Sequence, residues 1–301
     1  KTLFDLFPED AKDCPTLKTQ VAKDELFWLT GENKSIKVPS WLMPKSLHNK
    51  GNYIISLGEL CQWISEKAME LGVDIFPGFP AQSYIKDESG RVIGISTGDM
   101  GIDKEGNQKG TYTPGMDILA KQTIFAEGAR GHLGKQLIKE FNLDEGKTPQ
   151  HFAIGFKEVW EVENDMYSAG DVVHTMGWPL NEGTTGGGFL YHFDNNRIAV
   201  GLIVDLNYTN PSHSPFQEFQ QFKKHPKIKQ FLESGKRVSY GARAITKGGI
   251  NSLVKMDFNG GMIIGCDAGT HNPRKIKGSH CALQSGILAA EYINKILSEE
   301  I

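Results

Sequence analysis

This 301-residue chain lacks several things that would point to familiar chemistry, and each absence narrows the field. Its four cysteines, Cys14, Cys61, Cys266 and Cys281, contain no C-x-x-C spacing, which leaves no zinc knuckle or iron–sulfur motif. Scattered thiols in a glycine-rich α/β pattern fit a reducing compartment. No apolar run is long enough for a spanning helix. Net charge is only −3, so no global field recruits nucleic acid or an acidic partner. There is no internal repeat, no low-complexity tract, no Ser/His/Asp order and no paired-carboxylate pattern. His174, His192, His271 and His280 lie on different elements without ligand spacing, so they read as satisfied or solvent-facing histidines rather than a metal site. The G-x-G-x-x-G fingerprint of a dinucleotide turn is also missing. The first residue is Lys1 rather than Met, consistent with a fragment.

What is abundant is glycine, 34 residues of it, against an apolar content of 39% with 10% aromatics. Glycines gather where backbone turns sharply or meets a ligand. Residues 1–24 read as a short helix and a loop. Strands are expected at 25–30, 35–38 and 52–56, then a helix whose apolar positions Leu57, Leu60, Cys61, Ile64, Ala68 and Leu71 make one face and which Gly72 ends. A strand at 73–77 would complete a strand–helix–strand unit. Hairpins follow at 81–97 and 99–112, then a strand at 119–126 and a helix carrying Leu133, Leu137, Ile138 and Phe141. From about 150 the pattern becomes a run of antiparallel strands (151–162, 172–178, 187–193, 197–206). Two Pro-opened helices and a strand at 237–245 come next. A strand at 261–266, a turn and a helix at 279–299 close the chain. The expected fold is therefore α/β with an inserted antiparallel β module. Residues 1–150 and 251–301 form one layer and residues 151–250 the insert.

Five stretches carry candidate chemistry. Glu127-Gly128-Ala129-Arg130-Gly131 ends an apolar strand before a helix, either an ordinary link or the strand end where a dinucleotide lies. Gly265-Cys266-Asp267-Ala268-Gly269, with Lys277-Gly278-Ser279 at the last helix, has the same form. There Ser279 can cap the helix, and Gly278 lets the turn approach a flat ring. The helix N-terminus would favour negative charge on a reduced flavin; a ligand-free capped helix is the alternative. Ala282, Gly286, Ala289 and Ala290 would keep that helix thin enough to lie close on the sheet. Gly186-Gly187-Gly188-Phe189 opens an aromatic strand; this is a bulge, or a gap for a flat quinone head. Trp41-Leu42-Met43, bounded by prolines and flanked by lysines, is either a loop buried on the core or an apolar tip suited to an anionic membrane surface.

Several of these stretches together resemble the electron-transfer flavoprotein:ubiquinone oxidoreductase family. They are Gly51-Asn-Tyr-Ile-Ile, Ile124-Phe-Ala-Glu-Gly128, Gly177-Trp-Pro-Leu180, Gly187-Gly-Phe-Leu-Tyr-His192, Tyr240-Gly-Ala-Arg-Ala244 and Lys275-Ile-Lys-Gly-Ser-His280. The resemblance runs in order over nearly the whole chain. It implies a truncated Rossmann-like FAD-binding flavoprotein fold. FAD would be held at residues 127–131, 265–267, 269 and 277–279 and by Thr246, with ubiquinone against Gly186 and Gly187. It also implies electron-transfer flavoprotein as donor. The seat would be peripheral, on a bacterial cytoplasmic membrane or the mitochondrial inner membrane. A 4Fe–4S cluster is implied only in a C-terminal module that this chain does not contain. The chain departs from the family pattern at Thr246-Lys247, where an Asn-Glu pair is usual, and at Ser279, where Thr is usual. Rival readings are a nitrogen-fixation-type relative, a flavin-dependent hydroxylase, a prenyl reductase, or a flavin-free binding fragment.

Overall fold

The computed structural model describes residues 2–163, 165–180 and 183–299. In chain order it comprises α1 (Thr2–Leu6), β1 (Thr19–Gln20), β2 (Lys23–Gly31), β3 (Lys34–Val38), β4 (Tyr53–Ile54) and α2 (Leu57–Glu70). Six short strands follow: β5 (Ala81–Lys86), β6 (Val92–Thr97), β7 (Met100–Ile102), β8 (Gln108–Thr113), β9 (Asp117–Leu119) and β10 (Thr123–Phe125). Then come α3 (His132–Glu140), β11 (Phe152–Glu161), β12 (Asp171–Gly177), β13 (Gly186–His192), β14 (Arg197–Asp205), α4 (Pro215–Lys224) and α5 (Pro226–Leu232). The chain finishes with β15 (Lys236–Thr246), β16 (Asp257–Phe258), β17 (Gly261–Ile263), α6 (Gly265–Ala268) and α7 (Ser279–Glu299).

A seven-stranded sheet dominates, in the order β15-β11-β14-β13-β12-β2-β3. Every pairing in it is antiparallel except β2 with β12, where Lys23 sits opposite Asp171 and Leu26 opposite His174. Alternation along the strands decides what each face does. One face carries Phe27, Leu29, Val173, Leu190, Ile198, Val200, Leu202 and Val204, all buried. Helices α4 and α5 cover that face with Phe219, Phe222, Ile228 and Leu232. Each such side chain removed from water contributes roughly 1.5–3 kcal/mol. Ser214 caps α4 by accepting from the backbone N–H of Gln217, and Pro215 and Pro226 stand in the first turns of the two helices.

A second core gathers Val92, Phe125, Leu133, Leu137, Leu143 and Ile263 under the small β10-β17-β16 sheet. There β10 and β17 run parallel, with Thr123 opposite Gly261 and Phe125 opposite Ile263. A third groups Leu3, Ala11, Cys14, Leu60 and Trp63 around α2.

Four expectations fail, each for a physical reason. Residues 73–77 form no strand; Val73 and Phe76 are exposed, and no described strand lies alongside to pair with them. The strand expected at 119–126 is two, because β9 pairs with β6 whereas β10 pairs with β17. The insert is not confined to 151–250, since β2 and β3 complete its sheet. Finally, Gly286 does not serve close packing on α7. A side chain there would meet open space, and only Ser285 and Ala289 of that helix are buried.

Candidate functional site

Because β10 and β17 are parallel neighbours, the turns that follow them leave the same end of the sheet side by side. Ile264 N–H donates to Phe125 O at 2.9 Å, which carries the pairing into the turns. The two turns are then tied through carboxylates. Asp267 accepts from the backbone N–H of Glu127 at 3.3 Å. Glu127 accepts from Gly134 N–H at 2.7 Å and pairs with His132 Nδ1 at 3.0 Å. A side chain at Gly131 or Gly134 would strike the Asp267 carboxylate. Glu127 and Asp267 therefore close over the N-terminal turn of α3, where Glu127 takes up the Gly134 N–H. Burial pushes Asp267 up to about 6; the negative charge of Glu127 adds to the rise and the backbone N–H groups oppose it. Gly128 and Ala129 stay partly open, and Arg130 reaches outward across the Phe152 ring at 5.7 Å.

The closing turn folds tightly onto this pair. Gly265 donates its N–H to Ser285 Oγ at 2.9 Å, fixing α7 against the turn. Gly269 ends α6 with φ +89°, a left-handed conformation that favours glycine, and a side chain there would also displace the end of Gln150. Asn272 and Lys277 bridge each other across Pro273–Ile276. Gly278 lies against His271, and its missing Cβ would also point toward Cys266 Sγ. Ser279 departs from expectation. It is the first residue of α7, exposed, and its hydroxyl makes no capping hydrogen bond among the described residues. Around this turn the buried Thr246 Oγ1, Thr270 Oγ1 and His271 Nδ1 have no hydrogen-bond partner among the described residues. Three orphaned polar atoms in one place suit a polar, planar ligand laid on the turn.

The uncovered face of the large sheet holds a cavity of ≈ 840 Å³. Its floor includes Gly187, Phe189 and Tyr191 of β13, His174 and Met176 of β12, and Leu26 of β2. Its far wall is His271, Pro273 and Ile276 of the closing turn. Gly186, Gly187 and Phe189 thus line one space with the closing turn. Gly188 touches that space only through its backbone. A side chain there would run into the Phe222 ring at 2.3 Å on the opposite face, so its smallness serves packing against α4. At the rim Lys247 Nζ donates to Asp205 at 2.7 Å and to Thr185 Oγ1 at 2.9 Å. Burial alone would raise Asp205, but Lys247 and Thr185 outweigh it and hold that carboxyl below its usual range.

The triplet expected at a membrane surface divides. Trp41 is 80% exposed and Leu42 57%, whereas Met43 is 6% exposed and belongs to the interior. Met43 follows the one-turn 3₁₀ helix Ser40–Leu42, and that turn sends its side chain opposite to the tip. The sequence reading missed an adjoining row. Met176, Trp28 and Ile36 stand in register on β12, β2 and β3, each exposed, continuing the cavity face to the sheet edge. Alternating apolar residues on an outward-facing hairpin were the available signal. Among the described residues no helix is long and apolar enough to cross a membrane.

Comparison with known proteins bears on the family and the fold. Residues 152–245 match the family model for the ubiquinone-binding region of ETF-QO. The chain is 56% identical over 99% of its length to electron transfer flavoprotein-ubiquinone oxidoreductase of Pseudomonas aeruginosa, covering 54% of that protein. It is 46% identical over 99% of its length to the human mitochondrial protein of the same name, covering 48% of it. The chain thus spans about half the length of the curated relatives it matches. Among solved structures, a geranylgeranyl bacteriochlorophyll reductase-like protein of Thermoplasma acidophilum superposes with TM-score 0.72 at 17% identity, covering 100% of this chain and 68% of that one. A flavin-dependent brominase superposes with TM-score 0.66 at 15% identity, covering 98% and 68%. At such identities these two speak for the fold alone, a flavoenzyme-type α/β architecture. By sequence the chain belongs to the electron transfer flavoprotein-ubiquinone oxidoreductase family.

Proposed function

We propose that this chain supplies the flavin-ring and quinone portion of an FAD-dependent oxidoreductase that passes electrons from reduced electron-transfer flavoprotein to membrane ubiquinone. One observation carries the reading. The cavity floored by Gly187, Phe189 and Tyr191 is walled by the turn whose buried polar atoms lack partners, and its face runs out to an exposed apolar row. When bound, the flavin accepts and gives electrons singly or in pairs, which suits a one-electron donor and a two-electron acceptor.

The residues divide the work. Thr246, Gly265, Cys266, Gly269, Lys277 and Gly278 form the bed for the ring. Thr246 offers a hydroxyl where the family usually carries an amide. Glu127 and Asp267 hold the two turns together rather than touching the ligand. The backbone of Gly128–Gly131 faces the rest of the cofactor, and Ser279 sits at the lip. Gly186, Gly187 and Phe189 form a flat, largely apolar floor for a quinone head. Trp28, Ile36, Trp41 and Leu42 meet the membrane surface, letting a quinone enter without crossing water. The ion pair of Lys247 with Asp205 stiffens the mouth.

Spectroscopy of the flavin-loaded holoenzyme tests this directly. Reduced electron-transfer flavoprotein should bleach the visible flavin band, and a short-chain ubiquinone should restore it. A band that only a nicotinamide cofactor bleaches would favour a hydroxylase- or reductase-type activity instead.

A further inference from the structure

Tyr191 and His174 stand on neighbouring strands of the cavity floor, and the mechanism above leaves them unused. His174 is 5% exposed, and its Nε2 lies 2.8 Å from the Tyr191 hydroxyl. The Tyr191 ring stacks on Phe189 with centroids 4.8 Å apart, so the phenol and the floor of the quinone space are one surface. On the other side of the imidazole, Nδ1 has no hydrogen-bond partner among the described residues and lies 3.9 Å from Asp24 Oδ1. Asp24 is anchored by the backbone and side-chain N–H groups of Asn49. Lys277 is the remaining charged group near the pair, and its Nζ donates to the Lys275 carbonyl at 3.3 Å. Phenol, imidazole and carboxylate thus run in a line from the cavity toward β2.

We propose that Tyr191 protonates a quinone carbonyl oxygen in this cavity and that His174 returns the proton to the phenol. The proposal rests on the reading of the cavity as the quinone site. Reduction of the quinone to the quinol takes two electrons, from the reduced flavin, and two protons. For one of these the Tyr191 O–H bond breaks and an O–H bond forms on the quinone oxygen. The phenolate then takes the Nε2 proton of His174, and the ring takes up a proton at Nδ1 relayed from bulk water by the Asp24 carboxylate, whose side chain is 13% exposed. The second proton reaches the other quinone oxygen from water. His174 ends as the opposite neutral tautomer, and release of the Nδ1 proton with rebinding at Nε2 resets it.

Charge in the cavity fits this order. Burial holds His174 down at about 4, with Lys277 lowering it further and Asp24 opposing, so the ring is neutral at physiological pH and free to pass a proton between its nitrogens. Burial, helped by the charge of Asp24, pushes the Tyr191 phenol well above its ordinary value. It therefore keeps its proton until a strongly basic reduced quinone oxygen is beside it.

Tyr191→Phe removes the hydroxyl and keeps the ring on Phe189. In the flavin-loaded holoenzyme, chemically reduced, reoxidation is followed by stopped flow with a short-chain ubiquinone and with ferricyanide, which takes electrons without protons. The expected result is a loss of about 10²-fold or more in the quinone rate with an unchanged ferricyanide rate. His174→Gln should lower the quinone rate alone as well and flatten its pH profile. It serves as the reading if Tyr191→Phe fails to load flavin. Equal rates in wild type and variant, or equal slowing with both acceptors, overturns the proton assignment. A wild-type holoenzyme that ferricyanide reoxidises and quinone does not overturns the quinone reading beneath it.

Discussion

Glu158 is buried in the middle of β11 at 2% exposure, on the face covered by α4. Its carboxylate accepts from Lys223 Nζ at 2.9 and 2.8 Å, from Trp160 Nε1 at 2.9 Å and from Arg237 at 3.1 Å. Lys223 is itself 13% exposed, so Glu158→Ala strands a nearly buried ammonium. Breaking one side of such a pair costs about 3–5 kcal/mol. Arg237 is 49% exposed and adds only a surface-level increment of about 0.2–1 kcal/mol. At roughly 1.6 °C per kcal/mol for a chain of this length, the melting temperature should fall by about 5–10 °C. Replacing both partners by apolar residues of similar shape, Glu158→Leu with Lys223→Met, should cost less than Glu158→Ala alone, since no buried charge is left over. The pH dependence has a definite sign. Burial alone would raise the Glu158 carboxyl, but its donors outweigh burial and hold it below 4.5. Its contribution is therefore complete above pH 4.5 and fades as pH falls through the lower folded value; the alanine variant lacks that slope. Denaturant titration against pH measures both quantities. A Glu158→Ala cost under about 1 kcal/mol, or a double variant weaker than the single, would refute the reasoning.

Two further outcomes follow from burial at other sites. Trp41→Ser and Leu42→Ser should leave unfolding within about 0.5 kcal/mol of wild type while reducing flotation with anionic vesicles. Met43→Ala should do the reverse, costing about 2–5 kcal/mol with vesicle binding intact. Asp267, held at about 6, favours its protonated form in the folded state, so this group withdraws stability as pH rises from 3.8 through about 6. Asp267→Asn should abolish that part of the pH dependence, read from denaturation midpoints between those limits.

How much of this was legible in the sequence depends on the range of the interaction involved. The strands of the large sheet follow from period-two patterning, and α2, α4 and α5 from caps and apolar spacing, all local signals. Residues 73–77 look like a strand locally, yet a strand exists only where another lies beside it, and none is described there. The joining of β2 to β12 is likewise invisible locally, because the paired residues Lys23 and Asp171 lie far apart along the chain. At the site, the two glycine turns could be read as a pair from their shared form, and parallel pairing of β10 and β17 brings them together. The direction of individual side chains could not be read. Glu127 and Asp267 turn toward each other, Gly188 faces Phe222, and Met43 turns inward. The His174–Tyr191 contact needed the cross-strand register, which sets His174 opposite Phe189 and one step from Tyr191.

The lone parallel seam in the large sheet has a bearing on how the molecule is made. The ribbon of β2 and β3 leaves the ribosome long before β12 exists to receive it, and it carries Trp28 and Ile36 on one side. Until then it is a sticky edge exposed to water, of the sort that invites wrong partners. Lys23, Lys34 and Lys37 along the same ribbon discourage such encounters by repulsion and strong hydration. Those lysines are thus gatekeepers for the nascent chain as well as neighbours of its apolar edge.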